Sequence, residues 1–278
     1  MTVDTRYAHS PTAVAAMDTA QLRAAFVVDD LFALGGARGV YLHHDRILAF
    51  GIVPIAEAIA LPNPDEVRAK HVLQRREAGI LNVGASGVVV ADGTEFPVVH
   101  GEAVYLGRGA DGVSFRSDDP ADPAAFYVFT AVAHKAFPHT LITQDDMNIV
   151  EIGSPKASNH RTLHQCIIEG RTPSANIAFG FTTVHAGSTW NTMPPHTHDR
   201  RTECYLYFDL AQEDRVFHVM GRPDETRHVV LGDRQLVVSP SWSVHFGAGT
   251  GPYSFVWATA GENAAYDDMD HVRVTDIR

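Results

Sequence analysis

Three histidines and one glutamate in the second half of the chain have the spacing of ligands to one metal ion. His196 and His198 stand two residues apart, Glu203 follows His198 after a further five, and His245 ends the segment Pro240-Ser-Trp-Ser-Val-His245. Imidazole and carboxylate groups together suit a divalent first-row metal. Residues i and i+2 of a strand point to the same face, whereas a helical pair of ligands needs i and i+4. The spacing therefore predicts that His196 and His198 reach one ion from a single strand.

The odd step from His198 to Glu203 predicts a turn or bulge between them, because an uninterrupted strand would place the two on opposite faces. A second extended run follows at Glu203–Phe208. In that run Glu203, Tyr205 and Tyr207 would share one face. We interpret the two tyrosines as packing residues in the first instance, with catalysis as the alternative.

The two motifs resemble those of the cupin superfamily, in which HxH and a glutamate are followed by a distant PxGxxH. Trp242 stands here at the usual glycine position, and 41 residues separate Glu203 from His245. Within the superfamily the chain is similar to the 5-dehydro-4-deoxy-D-glucuronate isomerase (4-deoxy-L-threo-5-hexosulose-uronate ketol-isomerase) family. The segments that carry this similarity are Trp190–His198, Phe217–His228, Ser239–His245 and Gly261–His271, with Leu73–Glu77 and Asn82–Ala85 in the first half.

The resemblance implies an all-β fold made of two cupin-type β-barrels (a bicupin) with a few short helices. It also implies a zinc-dependent isomerase, commonly a homohexamer, that acts in pectin and uronate degradation. Its reaction would convert 5-dehydro-4-deoxy-D-glucuronate to 3-deoxy-D-glycero-2,5-hexodiulosonate. The family's Zn²⁺ ligands carry over to His196, His198, Glu203 and His245, one ion per subunit. No motif transfers a general acid or base, so the catalytic residues stay unassigned.

Two domains are expected, an N-terminal cupin-like barrel over residues 1–150 and a C-terminal barrel with the metal site over 151–278. A faint repeat supports this division, because Arg75-Arg76-Glu77 echoes Arg200-Arg201-Thr-Glu203. Aligning the two glutamates puts Asp119 opposite His245. The only nearby imidazole before Glu77 is His71, which has no HxH partner. We therefore predict that the first barrel is metal-free.

Short β-branched and aromatic runs between turn residues predict strands along most of the chain. The clearest is a hairpin at Gly87–Ala91 and Thr94–Val99, joined by Asp92-Gly93. Further strands are expected at Ala125–Thr130, Ala175–Thr183, Arg215–Met220 and Tyr253–Ala258. One short helix is predicted around Asp18–Phe26, with Asp18 or Thr19 as N-cap.

The bulk composition restricts the partners. The net charge of −11 argues against a nucleic-acid partner, which would require a basic surface. No signal peptide and no membrane-spanning run is visible, and two cysteines give no disulfide framework, so we expect a cytoplasmic protein without a membrane partner. A small anionic sugar-acid substrate would need local cations. Arg201 is favoured as the substrate-binding residue, ahead of Arg161, Arg200 and Arg222, although a solvated arginine is the ordinary interpretation of each.

A divalent cation with an open coordination position suits aldose–ketose isomerisation, because it stabilises the negative charge of an enediolate. The ligand set accepts several metals, and zinc is implied by the family alone. The rival interpretations are a 5-deoxyglucuronate isomerase of inositol catabolism, an iron-dependent cupin dioxygenase, and a sugar-binding or storage cupin without catalysis. His218, within an apolar run, is interpreted as a core histidine, and the run Asp267-Asp268-Met-Asp270 as a solvated turn or subunit contact.

Overall fold

The computed structural model describes residues 3–278. Its strands are β1 (Asp4–Arg6), β2 (Val27–Val28), β3 (Gly36–Leu42), β4 (Leu48–Val53), β5 (Ile59–Ala60), β6 (Arg76–Asn82), β7 (Gly87–Ala91), β8 (Thr94–Val98), β9 (Ala103–Leu106), β10 (Ser114–Ser117), β11 (Phe126–Val132), β12 (Thr140–Ile142), β13 (Asn148–Ile152), β14 (Arg161–Ile167), β15 (Ala178–Val184), β16 (His196–Thr197), β17 (Arg201–Phe208), β18 (Val216–Arg222), β19 (Glu225–Leu231), β20 (Leu236–Ser239), β21 (Val244–Gly249), β22 (Tyr253–Gly261) and β23 (Asp270–His271). The α-helices are α1 (Pro11–Ala15) and α2 (Thr19–Phe26), and single 3-10 turns lie at Asp65–Val67, Val72–Arg75, Gln144–Asp146, Pro155–Ala157 and Val274–Asp276.

The first compact unit contains residues 3–6, 30–147 and 166–178. It has a seven-stranded sheet in the order β1-β3-β4-β11-β6-β9-β12 and a four-stranded sheet in the order β5-β10-β7-β8. Alternate residues of a strand face opposite ways, and β4 and β6 are buried at every position, so both faces of the seven-stranded sheet are covered there. Phe50, Ile80, Val104, Phe115 and Phe126 are buried in the same hydrophobic cluster, which is the core of this unit.

The second compact unit contains residues 7–29, 148–165 and 179–278. Its main sheet has seven strands in the order β13-β14-β15-β22-β17-β20-β2. A three-stranded sheet, β19-β18-β21, and a two-stranded one, β16-β23, complete it. The strand β17 lies between β22 and β20 and is buried along its whole length. A central, fully buried strand of this kind is a rigid support for functional side chains.

The division of the chain is more complex than a single boundary. The predicted boundary at residue 150 lies close to the change of unit between Met147 and Asn148. Two segments nevertheless belong to the other unit: residues 7–29 to the second, and residues 166–178 to the first. Sequence patterns report local structure, and these exchanges depend on long-range packing.

Two local predictions, the hairpin and the start of the helix, are confirmed. The hairpin β7–β8 turns at Asp92 and Gly93, both of which have positive φ, as a two-residue turn between twisted strands requires. The helix α2 begins after Asp18, whose side chain accepts a hydrogen bond from the Gln21 backbone N–H while the Gln21 side chain accepts one from the Asp18 N–H. No helix in the described part of the chain is long and apolar enough to cross a membrane.

The glutamate of the first half has a different environment from the one expected of a metal ligand. Glu77 is fully buried, and its carboxylate accepts hydrogen bonds from the Tyr105 hydroxyl at 2.6 Å and from the backbone N–H groups of Ala175, Asn176 and Ile177 at 2.7 to 2.9 Å. These donors satisfy the carboxylate without a cation. The absence of metal from this unit stays a prediction.

The alignment of Glu77 with Glu203 puts Asp119 opposite His245, but the two residues do not lie at equivalent positions of the strands. His245 lies in β21, whereas Asp119 lies beyond the end of β10 and forms an isolated bridge with Asp122. A fixed offset between repeats fails here because the loops of the two halves differ in length.

Candidate metal centre

The four side chains singled out by spacing converge within the second unit. His196 lies in β16, His198 directly after it, Glu203 in β17 and His245 in β21. One nitrogen or oxygen from each lies within 4.8 Å of the others. The Glu203 Oε2 atom is 2.8 Å from His198 Nε2 and 2.9 Å from His245 Nε2, and His245 Nε2 is 3.0 Å from His196 Nε2. All four are buried.

The chain reaches this arrangement by the turn that the odd spacing predicted. The strand β16 ends at Thr197, a turn follows at Asp199 and Arg200, and β17 begins at Arg201. The backbone N–H of Arg201 donates to the His198 carbonyl at 3.1 Å, which closes the turn. His198 and Glu203 therefore meet although they would lie on opposite faces of a straight strand.

Backbone carbonyls fix the protonation of two of the imidazoles. His198 Nδ1 donates to the Asp268 carbonyl at 2.8 Å, and His245 Nδ1 donates to the Ser243 carbonyl at 3.2 Å. A carbonyl oxygen only accepts, so the Nδ1 atom of each ring carries a proton and the Nε2 atom faces the centre. Orientation of a ligating histidine by a hydrogen bond to its other nitrogen is the usual arrangement around protein-bound metals.

The electrostatics of the cluster favour an added cation. Burial, reinforced by His245, lowers the pKa of His196 to about 2, so this imidazole is neutral. Burial alone would raise the pKa of Glu203, but His245 and His198 outweigh it, and the pKa lies well below its usual value. His196 therefore offers a nitrogen lone pair and Glu203 an ionised carboxylate, and the Nε2 atoms of His198 and His245 lie beside that carboxylate. Imidazole nitrogens and carboxylate oxygens are the donor atoms that a first-row divalent cation takes as ligands.

Aromatic side chains extend from the metal ligands along β17. Tyr205 packs its ring 5.5 Å from the ring of His245, and its hydroxyl is 2.8 Å from Thr192 Oγ1. The Tyr207 hydroxyl is hydrogen-bonded to His218 Nδ1 at 2.8 Å. Burial, with Glu203 as the next cause for Tyr205 and Tyr253 for Tyr207, raises the pKa of both phenols well above 10, so both keep their protons.

His218 is fully buried, as its interpretation as a core histidine requires. Burial, followed by the effect of His245, lowers its pKa to about 3. The Nε2 atom of His218 is buried and has no hydrogen-bond partner among residues 3–278.

Arg201, the predicted substrate-binding residue, has its guanidinium engaged with the protein itself. It is 1% exposed and donates from Nη1 to the Ala265 carbonyl at 2.5 Å and from Nη2 to the Asp268 carbonyl at 2.6 Å. The Asp268 carbonyl is the one that orients His198. The geometry thus places Arg201 in support of the metal centre, and its binding of substrate stays a prediction.

The other arginines considered also have protein partners. Arg200 forms ion pairs with Asp268 and Asp270, so two of the acidic residues near the C-terminus are tied to the turn before β17. Arg222 pairs with Asp224 at the surface. Arg161 donates to the carbonyls of Asn159 and Met193 at 2.9 and 3.1 Å.

The sequence patterns missed the contribution of the segment that follows β22. In β23, His271 is the antiparallel partner of His196, and the two rings lie 6.2 Å apart. Asp268 supports His198 through its carbonyl. A backbone carbonyl has no residue-type signature, so no motif could reveal this role. His271 itself carried a weak signal, because it lies in one of the segments that resemble the isomerase family.

Comparison with known proteins identifies the family. Residues 40–274 match the model of the KduI/IolB family. A 4-deoxy-L-threo-5-hexosulose-uronate ketol-isomerase from Kineococcus radiotolerans is 53% identical over 99% of this chain and 100% of its own length. Proteins with the same name from Lachnoclostridium phytofermentans and Cereibacter sphaeroides are 45% and 46% identical, over 99% of this chain and at least 99% of their own lengths.

Solved structures show the fold. An IolB-like protein from Salmonella typhimurium superposes with a TM-score of 0.70 at 14% identity, covering 90% of this chain and 98% of that one. An oxalate decarboxylase from Bacillus subtilis superposes with a TM-score of 0.61 at 13% identity, covering 90% and 79%. The all-β bicupin architecture expected from the sequence is confirmed. The chain is an isomerase, and it belongs to the KduI/IolB family.

Proposed function

We propose that this chain is a metal-dependent ketol-isomerase that converts 5-dehydro-4-deoxy-D-glucuronate to 3-deoxy-D-glycero-2,5-hexodiulosonate in pectin and uronate degradation. The observation that carries the proposal is the buried convergence of His196, His198, Glu203 and His245. It is supported by relatives that are named for this activity and match the full chain. The Bacillus subtilis oxalate decarboxylase, which shares the fold, has Mn(II) centres.

The four ligands suit Zn²⁺, which we propose as the resident ion, one per subunit. One nitrogen or oxygen atom from each of the four side chains lies within 4.8 Å of the others, and these are donor atoms that Zn²⁺ takes in proteins. A coordination shell larger than four would leave a position for a substrate oxygen. When bound, a divalent cation supplies Lewis-acid stabilisation of the negative charge that develops on neighbouring substrate oxygens during isomerisation.

Tyr205 is the side chain best placed to hold a proton beside the centre. It shares the face of Glu203 on β17, and its ring contacts that of His245. Its raised pKa keeps the phenol protonated throughout the neutral range. We therefore assign it the role of donating a hydrogen bond to a substrate oxygen. In the protein without substrate, the Tyr205 hydroxyl is hydrogen-bonded to Thr192 Oγ1 instead. This contact orients the hydroxyl.

The proposal also covers the subunit number, the substrate class, the location and the partners. We propose a homohexamer that acts on a small anionic sugar acid in the cytoplasm, without nucleic-acid or membrane partners. The net charge of −11 supports the exclusion of nucleic acid, because a polyanion would be repelled. Sedimentation analysis of the purified protein checks the subunit number.

The proposal is tested by elemental analysis of the purified protein together with turnover assays on two acids. We expect one zinc per chain and turnover of 5-dehydro-4-deoxy-D-glucuronate, with far lower kcat/KM for 5-deoxyglucuronate. A preference for 5-deoxyglucuronate would overturn the substrate assignment. Iron at one per chain together with oxygen consumption on a diol would overturn the reaction class.

A further inference from the structure

A second group of metal-binding side chains lies outside the centre described above. Glu151 belongs to β13, His160 directly precedes β14, and His185 directly follows β15. One ligand atom from each lies within 4.8 Å of the others. Glu151 Oε2 is 3.0 Å from His160 Nε2 and 3.9 Å from His185 Nε2. All three belong to the second compact unit.

The strand pairing holds these residues in place. β13, β14 and β15 are consecutive in the main sheet, and Glu151 is the antiparallel partner of Thr162. The backbone N–H of His185 donates to the His160 carbonyl at 3.2 Å, and the N–H of His160 donates to Ser188 Oγ at 2.9 Å. The two histidine backbones are therefore fixed to each other, and their rings lie 4.6 Å apart. A site built on strand ends is pre-organised.

A threonine completes the environment of the cluster. Thr162 donates its hydroxyl hydrogen to Glu151, because a carboxylate only accepts. Its oxygen must then accept from His185 Nε2, which lies 2.7 Å away. This threonine keeps the carboxylate turned toward both imidazoles, as supporting hydrogen bonds do for metal ligands.

The exposure of the cluster decides the kind of site. The side chains of Glu151, His160 and His185 are 59%, 38% and 36% exposed. Three protein ligands at the surface leave further positions to water, so an ion here is exchangeable and binds more weakly than in the buried centre. Imidazole nitrogens with one carboxylate select first-row divalent ions such as Zn²⁺ over Mg²⁺ or Ca²⁺.

We propose that Glu151, His160 and His185 form a second, surface-exposed site for a first-row divalent cation that ties β13 to β14 and β15. The ion takes an Nε2 lone pair from each imidazole, whose proton then resides on Nδ1, and one carboxylate oxygen. β13 is the outermost strand of the main sheet, and among residues 3–278 it pairs with β14 alone. An ion that joins Glu151 to His160 and His185, which lie next to the ends of β14 and β15, would anchor this edge strand. This site is independent of the function proposed above.

Titration of the chelator-stripped protein with Zn²⁺ by calorimetry tests the proposal. We expect two equivalents per chain for the unaltered protein, the second binding more weakly. His160→Ala and His185→Ala should each retain one equivalent, and His245→Ala should retain only the weaker one. The exposed His228, which belongs to neither cluster, provides the matched control: His228→Ala should bind two equivalents.

A stability measurement tests the tie between the strands. In the His245→Ala background, added Zn²⁺ should raise the thermal midpoint, and the additional change His160→Ala should abolish the rise. One equivalent in the unaltered protein, or a second equivalent that survives both His160→Ala and His185→Ala, would overturn the proposal. Loss of the second equivalent in His228→Ala would also overturn it, because the ion would then bind elsewhere.

Discussion

At the scale of single residues, the candidate metal centre depends on groups outside its four proposed ligands. Arg201 and His198 donate to the same carbonyl, that of Asp268. The guanidinium thereby fixes the acceptor, and the acceptor fixes the imidazole. The sequence favours Arg201 because it stands two residues before Glu203, and the structure does bring it close to the proposed ligands. Because its guanidinium is buried and donates to protein carbonyls, Arg201 supports His198 through the Asp268 carbonyl.

Loss of a single ligand should empty the centre without unfolding the protein. We expect His245→Ala to lose the tightly bound ion and to reduce turnover by more than about 100-fold, since even supporting partners of metal ligands contribute 10- to 100-fold. Elemental analysis and steady-state kinetics measure both effects. Circular dichroism should be unchanged, because the strand pairs of β21 do not depend on the ring. Undiminished turnover by the metal-free variant would contradict a metal-dependent reaction.

Arg201→Lys distinguishes the two roles considered for this residue. A lysine cannot hold the Ala265 and Asp268 carbonyls as a planar fork does. We expect Zn²⁺ affinity to fall about 10- to 100-fold while KM stays unchanged at saturating metal. Arg222→Lys, at a surface ion pair, is the control. A raised KM with unaltered metal affinity would instead support substrate binding by Arg201.

At the scale of elements, sequence signals with a specific physical cause predicted the structure well. Asp92-Gly93 gave the hairpin, Asp18 gave the start of α2, and the odd step from His198 to Glu203 gave the turn before β17. The cluster of Glu151, His160 and His185 had no such signal. Glu151 lies in β13, and His160 and His185 lie next to the ends of β14 and β15, so only the pairing of these strands brings the three together.

The capping box of α2 should make a measurable contribution to stability. Asp18→Ala leaves the N–H of Gln21 without its acceptor, and such a change costs about 1 kcal/mol. Thermal or denaturant unfolding should show this loss. Glu57→Ala, which removes an exposed carboxylate outside any helix, should have almost no effect. Equal stability of the two variants would show that the cap is unimportant.

At the scale of the whole molecule, buried neutral histidines make stability sensitive to acid. The pKa of His218 is about 3 in the folded protein against 6.5 ordinarily. Below pH 6.5 the unfolded chain therefore binds a proton that the folded chain refuses, and stability is lost as the pH falls toward 3. His196, with a pKa of about 2, acts in the same direction.

We expect the metal-free protein to lose about 1.5 kcal/mol from His218 alone between pH 6.5 and 5, because the slope rises from half of 1.36 kcal/mol per pH unit at pH 6.5 to nearly the full value at pH 5. Denaturant unfolding at the two pH values measures the loss. His218→Gln should have a shallower dependence on pH than the unaltered protein, because glutamine does not titrate. An identical slope in both proteins would show that His218 does not contribute.

The hydrogen bonds of Glu77 have a consequence for how such a protein can change over evolutionary time. Its three backbone donors come from residues 175–177, within a stretch that returns to the first unit after the chain has already entered the second. Gene recombination near codon 150 would therefore separate the codon of this buried carboxylate from the codons of the loop that satisfies it. A loop from another gene would have to bring three N–H groups to the same positions, because a buried carboxylate without donors is costly.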